Sequence, residues 1–363
     1  MELPAGRYSK ADFIEYVLEH GEEVAPPDPR HRWLKVYSVL AGHVPWRSAL
    51  FTNAQTSEFG DITEVRFGRD STPGLERDEN YYVMEHSPGL LLLFTTAVKE
   101  RYEQTIRERL RQVRGITELW SSPSVFDRQW RFILRQSGGF VYRFMSRRSS
   151  IDEATAAIRP DYRRRFNYTG NDATHVIDEL RESYGVLPRS LYIRVGPDLN
   201  VHLTNEGLFS AKIMSRQAFE LFFGMLDLIQ EEILGLKKTS QDLAFRVESL
   251  SEPVADSPKV VAVQAGVIRL SERDFDVDAV GTLRDELARR GQFSLIDEQL
   301  QRGSIGFTAT VIDERKGTVF NISASDNQIV LIPKHNITFE SFISFYRTVA
   351  EVADPRATFR LYT

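Results

Sequence analysis

The sequence predicts an α+β fold of two or three modules, each an antiparallel meander of three or four strands followed by a covering helix. Three observations carry that expectation. Short alternating apolar runs are separated by turn residues. A Ser or Thr suited to capping a helix follows each meander, at Thr95, Ser215 and Thr338. The order β-α-β-β-β-α recurs in the central and C-terminal thirds without sequence identity between them, an echo of pattern alone. The expected boundaries are 1–135, 136–247 and 259–363, with the Pro-containing polar stretch Glu248–Pro258 as linker.

The elements follow in order. Ser9 and Asp12 have the spacing of a capping box, so a helix should begin there with Phe13, Ile14, Val17 and Leu18 inward. Trp33–Leu40, Ile62–Phe67, Tyr81–Glu85 and Leu90–Phe94 read as strands. Thr95 should start a helix whose Val98, Tyr102, Ile106, Leu110 and Val113 recur at helical spacing among many arginines. A turn and short helix are expected in Gly115–Gln136, then a strand at Phe140–Met145 and a capped helix from Ser150 to Ile158.

Asp172–Tyr184 reads as a helix, and Leu191–Val195, Asn200–Leu203 and Leu208–Ile213 as strands joined by Gly- and Asn-containing turns. The helix expected from Ser215 to about Leu234 has an apolar arc wide enough for burial on two sides, or for self-association of the chain. The last module is read as a strand at Val260–Val263, a helix at Val277–Arg290, strands at Gly306–Ile312, Thr318–Ser323 and Ile329–Ile332, and a helix capped by Thr338.

Composition excludes several classes of function. The 363 residues include no cysteine, which removes disulfides, thiolate catalysis and Cys-ligated metals. No apolar run approaches the roughly 18 residues that span a bilayer, so no membrane partner is expected. The first residues lack a basic segment followed by an apolar one, and a cytoplasmic location is the expectation. No two of the seven histidines have metal-site spacing, and neither a nucleophile elbow nor a phosphate-binding Gly-rich loop occurs. No cofactor is expected.

Charge is the informative property. The formal net charge is -5, yet Lys99–Arg165 holds 16 basic and 8 acidic residues, so this segment carries +8 and the remainder -13. Within it, Phe140–Tyr168 interleaves seven arginines with Tyr142, Phe144, Tyr162, Phe166 and Tyr168. Arginine neutralises phosphates, and aromatic rings offer stacking surfaces to unpaired bases. The aromatics of an alternating strand also serve as core, whatever the arginines do.

The candidate nucleic-acid-binding residues are Arg143, Arg147, Arg148, Tyr162, Arg163, Arg164, Arg165 and Tyr168, acting with the preceding arginine-bearing helix. Arg163–Arg165 is the part hardest to place in a core, and Tyr162–Tyr168 is the exposed element expected to matter. The reading is a non-catalytic binding protein that contacts nucleic-acid backbone. A complex subunit pairing its arginines with an acidic protein partner is the alternative. A metal-dependent nuclease using Asp297, Glu314 and Lys316 is a third reading, weakened because Asp313–Gly317 has the composition of a hairpin turn. No catalytic or metal-ligating residue is assigned.

Overall fold

The computed structural model describes residues 3–20 (except 5), 33–69 (except 43), 75, 78–147, 165–184, 187–212, 215–235, 265–271, 277–301, 306–335 and 339–361 (except 355). It is an α+β protein of antiparallel sheets and helices, divided into two compact units, Met1–Glu231 and Glu232–Thr363. The first two expected modules therefore share one unit.

In the first unit, α1 (Lys10–His20) begins at the expected capping box: the Ser9 backbone N–H donates to Asp12 Oδ2 (3.0 Å) and the Asp12 N–H to Ser9 Oγ (3.2 Å). Strands β1 (Leu34–Ala41), β3 (Ile62–Phe67), β4 (Glu79–Ser87) and β5 (Leu90–Thr95) lie close to the expected ranges. The short helix α2 (Trp46–Leu50) and strand β2 (Gln55–Phe59) are additions, and β2 shows no apolar alternation because it is exposed almost throughout.

Thr95 does not cap a helix. Its hydroxyl donates to the Asn80 carbonyl and accepts from the Ala97 N–H, which closes the end of β5. The helix starts four residues later as α3 (Lys99–Tyr102). It continues through a π-helical stretch, Glu103–Arg107, into α4 (Glu108–Gln112).

After β6 (Ile116–Glu118), α5 (Pro123–Ser137) is capped by Ser122 and ends at Gly138, whose φ of 64° is the left-handed conformation glycine adopts without strain. Then come β7 (Phe140–Arg147), β8 (Arg165–Thr169), α6 (Ala173–Tyr184), β9 (Pro188–Val195), β10 (Leu199–Thr204), β11 (Leu208–Ala211) and α7 (Arg216–Leu228).

One eleven-stranded sheet joins these strands in the order β2-β3-β4-β5-β1-β11-β10-β9-β7-β8, with β6 also paired to β1. The joint is β1: one edge pairs with β5, while the other pairs with β11 along its first half and β6 along its second. One face of the sheet is covered by α1, α5, α6 and α7. Phe13 packs on Phe94 (5.1 Å between ring centres) and Phe222 on Phe209 (4.8 Å). Residues Phe219, Leu221, Phe222, Met225 and Leu226 of α7 are buried within the chain, and Gly224 admits the Phe132 ring of α5. The apolar arc is thus consumed on two sides as core, which leaves those residues no surface for self-association. On the opposite face, α2 to α4 cover β3, β4, β5 and β1 through a cluster that includes Tyr37, Leu91, Leu93, Tyr102 and Ile106.

The second unit holds β12 (Gly266–Arg269), α8 (Val277–Arg290), β13 (Phe293–Gln301), β14 (Gly306–Asp313), β15 (Thr318–Ser325), β16 (Gln328–His335), α9 (Phe339–Val352) and β17 (Thr358–Leu361). Its sheet order is β13-β14-β15-β16-β12-β17, with Phe293, Phe320 and Phe345 packed together in the core. The expected strand at Val260–Val263, the linker and the Ser150–Ile158 helix lie outside the described residues.

Candidate anion-binding face

Beyond β1, the sheet face that carries α2–α4 continues over β11, β10, β9, β7 and β8. Strand alternation dictates what it presents. Leu191, Ile193, Leu199, Val201, Leu203 and Phe209 are buried on the helix-covered side, so Ser190, Tyr192, Arg194, Asn200, His202 and Ser210 fall on the other. Ser190 and Ser210 are buried, Tyr192, Asn200 and His202 are partly buried, and Arg194 is exposed. The five strands contain five arginines and no aspartate or glutamate. Arg143 and Arg194 fall on the face that carries Tyr192, whereas Arg189 falls with Leu191 on the helix-covered side.

Register builds a row across seven strands. Thr95 pairs with Lys35, Lys35 with Ser210, Ser210 with His202, His202 with Tyr192, Tyr192 with Arg143, and Arg143 with Thr169. Four inter-strand steps separate Lys35 from Arg143, about 19 Å at the usual strand spacing. The β7–β9 pairing shifts register between Val141 and Arg143, and such a bulge re-aims a side chain. Here it brings Tyr142 as well as Arg143 to the row. Tyr142 lies 6.1 Å from Tyr192, and Tyr192 stacks on His202 at 4.2 Å with planes 13° apart. The Arg143 guanidinium sits 5.3 Å from the Tyr192 ring centre and that of Arg194 5.0 Å from Tyr142. Both contacts are within cation–π range.

His202 Nε2 lies 2.8 Å from Ser190 Oγ. Burial lowers the His202 pKa to about 4, with further depression from Lys99, Arg143 and Lys35, so the ring is neutral at pH 7. Lys35 donates to the carbonyls of Trp33 (3.2 Å) and Thr96 (3.4 Å). Burial brings its pKa down to about 8, against the opposing pull of Glu79 and Glu100, so it remains predominantly charged at neutral pH.

The expected site residues separate in space. Arg143 is in the row. Arg147 and Arg165 are register partners at the far end of the β7–β8 pair. Tyr168 faces the other way: it pairs with Phe144 on the helix-covered side, stacks on that ring at 5.6 Å and donates to Asp172 Oδ1 (2.7 Å). Arg148, Tyr162, Arg163 and Arg164 lie outside the described residues.

The arginine-bearing helix is largely committed elsewhere. Arg107 pairs with Glu103, Glu118 and Glu206, Arg111 with Glu103 and Glu108, and Arg109 reaches Thr52. On the helix-covered side, Arg131 and Arg181 pair with Asp127 and Asp178. Arg107, Arg111 and Arg131 of the Lys99–Arg165 segment are therefore paired with carboxylates, of which Glu206 and Asp178 come from outside it. The residues of this face that the sequence-based candidates do not include are Lys35, Lys99, Tyr192, Arg194 and His202, and Tyr142, which is named only among the aromatics interleaved with the arginines. The available signal was the carboxylate-free alternation of the five strands.

The residues of the nuclease reading are placed in the second unit. Asp313–Gly317 forms the β14–β15 turn, where Asp313 Oδ1 accepts from the Arg315 and Lys316 N–H groups and Glu314 Oε1 accepts from Ser294 Oγ (2.6 Å). Asp297 occupies a bulge of β13 with φ 54°, beyond Ile296, whose partner is Thr310 rather than Asp313. The two carboxylates are thus at different levels of the sheet. Among the described residues no group of three His, Asp or Glu side chains is arranged to hold a metal ion, and no helix is long and apolar enough to cross a membrane.

Comparison with known proteins gives two likenesses. A family model described as a family middle domain, AF_0896_M, matches residues 139–199. That span runs from the start of β7 to the start of β10 and so includes Tyr142, Arg143, Ser190, Tyr192 and Arg194. A protein of Archaeoglobus fulgidus, named as uncharacterized, is 23% identical over 324 residues, which cover 85% of this chain and 80% of that protein. No solved structure matches the chain significantly.

Proposed function

We propose that the protein is a non-catalytic nucleic-acid-binding protein and that the open face of β7–β11 takes a single strand. The observation that carries this reading is the aromatic run Tyr142, Tyr192 and His202, in which Tyr192 stacks on His202 and Tyr142 is tilted against Tyr192, with Arg143 and Arg194 laid on its rings, on five strands free of carboxylates. Cationic groups follow a phosphate backbone, and flat rings accept bases of any sequence. A sheet face with exposed aromatics is one physical solution to binding unpaired bases.

The test is fluorescence anisotropy with single-stranded DNA and RNA oligonucleotides between about 50 and 200 mM salt. Binding is expected at low salt. The Arg143→Ala, Arg194→Ala double variant should weaken it and reduce the salt slope by roughly one for each phosphate no longer neutralised. The triple Arg163, Arg164, Arg165→Ala variant measures what the adjoining arginine run adds. No binding at the lowest salt sinks the reading and leaves an acidic protein partner as the chemistry that fits the same face.

A further inference from the structure

His202 is encircled by positive charge on its own face of the sheet. Lys35 stands two strands away on one side, through Ser210, and Arg143 two strands away on the other, through Tyr192. Each backbone position is about 10 Å from that of His202, within reach of long side chains converging on one ligand. Lys99 comes from α3 and is exposed. All three cations act on His202. From β9, Ser190 Oγ is hydrogen-bonded to Nε2 and the Tyr192 ring stacks on the imidazole. The acidic groups acting here, Glu79 and Glu100, act on Lys35.

We propose that His202, Lys35, Lys99, Arg143 and Ser190 form a phosphoryl-anion subsite on this face, and that a phosphate of the bound strand enters it together with one proton from solvent. The identity of the strand rests on the preceding reading. The subsite itself rests on the geometry of the row.

Burial first, and then the three cations, bring the His202 pKa down to about 4. A phosphate placed among the cations cancels their repulsion and adds an attraction of its own, so the pKa must rise on binding. The protonated ring then donates through both nitrogens, Nε2 to Ser190 Oγ and Nδ1 to a phosphate oxygen. Lys35 and Lys99 supply charge without fixed geometry, whereas Arg143 adds a planar fork. Linkage fixes the sign: a group whose pKa is higher in the complex favours binding at low pH, and that advantage is lost as pH rises through the pKa of the complex.

The test is an NMR titration of the His202 ring protons, in chloride, then with inorganic phosphate, then with a single-stranded oligonucleotide. The expected result is an upward pKa shift of one unit or more with the oligonucleotide. An equal shift with inorganic phosphate shows that a free phosphate suffices, and a smaller one assigns the site to the strand's phosphodiester. No shift with either probe overturns the proposal. Lys35→Gln should raise the His202 pKa in chloride and diminish the shift caused by anion. An unchanged anion shift in both Lys35→Gln and Arg143→Gln also overturns it.

Binding is measured in parallel from pH 5 to 8 on the wild type and on His202→Gln, whose amide can still bond Ser190. Wild-type affinity should fall with rising pH, by up to tenfold per unit, while the variant's changes less. Oligonucleotide binding with the same pH profile in both proteins overturns the proton-linked subsite and leaves the nucleic-acid reading standing. Failure of the oligonucleotide to bind, with a phosphate-induced shift of His202, has the opposite meaning.

Discussion

Arg107 and Glu206 are joined by a 2.6 Å ion pair that ties the π-helical stretch before α4 to the turn between β10 and β11. The same guanidinium reaches Glu118 at 3.0 Å and pairs with Glu103, so three carboxylates from separate elements converge on one cation. Its side chain is only 18% exposed. The two halves of the large sheet meet at β1, and Arg107 adds a bond beside that joint. Arg107→Ala leaves half-buried carboxylates facing one another and should destabilise the first unit by about 3 kcal/mol. Lysine cannot bridge three partners as a guanidinium does, so Arg107→Lys should recover less than half. Urea unfolding measures both, and a loss below about 1 kcal/mol for the alanine variant would show the knot to be dispensable.

The glycine next to Glu206 makes a separate demand. Gly207 has φ 77°, and a Cβ there would lie 2.6 Å from the Leu119 carbonyl oxygen and 3.1 Å from that of Ser38. The close approach lets Gly207 O accept from the Ser38 N–H at 2.9 Å, drawing the turn onto β1. Gly207→Ala combines a strained conformation with a clash against backbone that cannot rotate away. A loss of more than about 2 kcal/mol is expected, without change at the open face. Thermal unfolding tests it, and an unaltered midpoint would contradict the close packing of this turn.

His202 should make the first unit acid-sensitive in a defined window. Its pKa of about 4 in the folded protein lies below the unfolded value of about 6.5. The unfolded chain therefore takes up the proton first as pH falls. Stability from this group is complete above about pH 6.5 and lost progressively toward pH 4, on the order of 3 kcal/mol in total. In His202→Gln this component disappears, so the difference in urea midpoint between the two proteins should narrow or change sign over that window. A constant difference from pH 7 to pH 4.5 would mean that His202 is not held neutral by its surroundings.

Local pattern made most elements legible. Ile62–Phe67 and Val277–Arg290 have the expected boundaries, and the Ser9–Asp12 box and the Ser215 cap form the expected hydrogen bonds. What alternation could not show was pairing at long range. The β1–β11 contact merges two expected modules into one sheet, and nothing within either strand announces it. Exposed β2 escaped because none of its residues is buried, and β13 because the bulge at Asp297 interrupts its alternation.

At the candidate site, counting charge along the chain singled out Lys99–Arg165 and within it the densest arginines, whereas of that segment's arginines the row takes only Arg143. The row itself draws Lys35, His202 and Arg143 from places far apart in sequence, which only register brings together. Tyr168 has the same composition-level signal as Tyr142, yet strand parity sends it to the opposite face.

Tyr192 lies between the cationic and stacking parts of the row and allows the two to be separated. Its ring carries Arg143 on one flank and His202 on another, at 5.3 and 4.2 Å. Under the proposed function a base stacks on this platform, which contributes roughly 1–3 kcal/mol per base by truncation. Tyr192→Leu should therefore weaken single-strand binding by about one decade while leaving the salt slope near its original value, because every phosphate keeps its cation. Arg143→Ala should do the reverse in slope, and Tyr192→Phe should stay close to wild type. A duplex of equal length hides its bases' faces and should bind more weakly than the single strand. If duplex and single strand bind alike, and Tyr192→Leu changes neither, the face acts through charge alone and the aromatic run belongs to the fold.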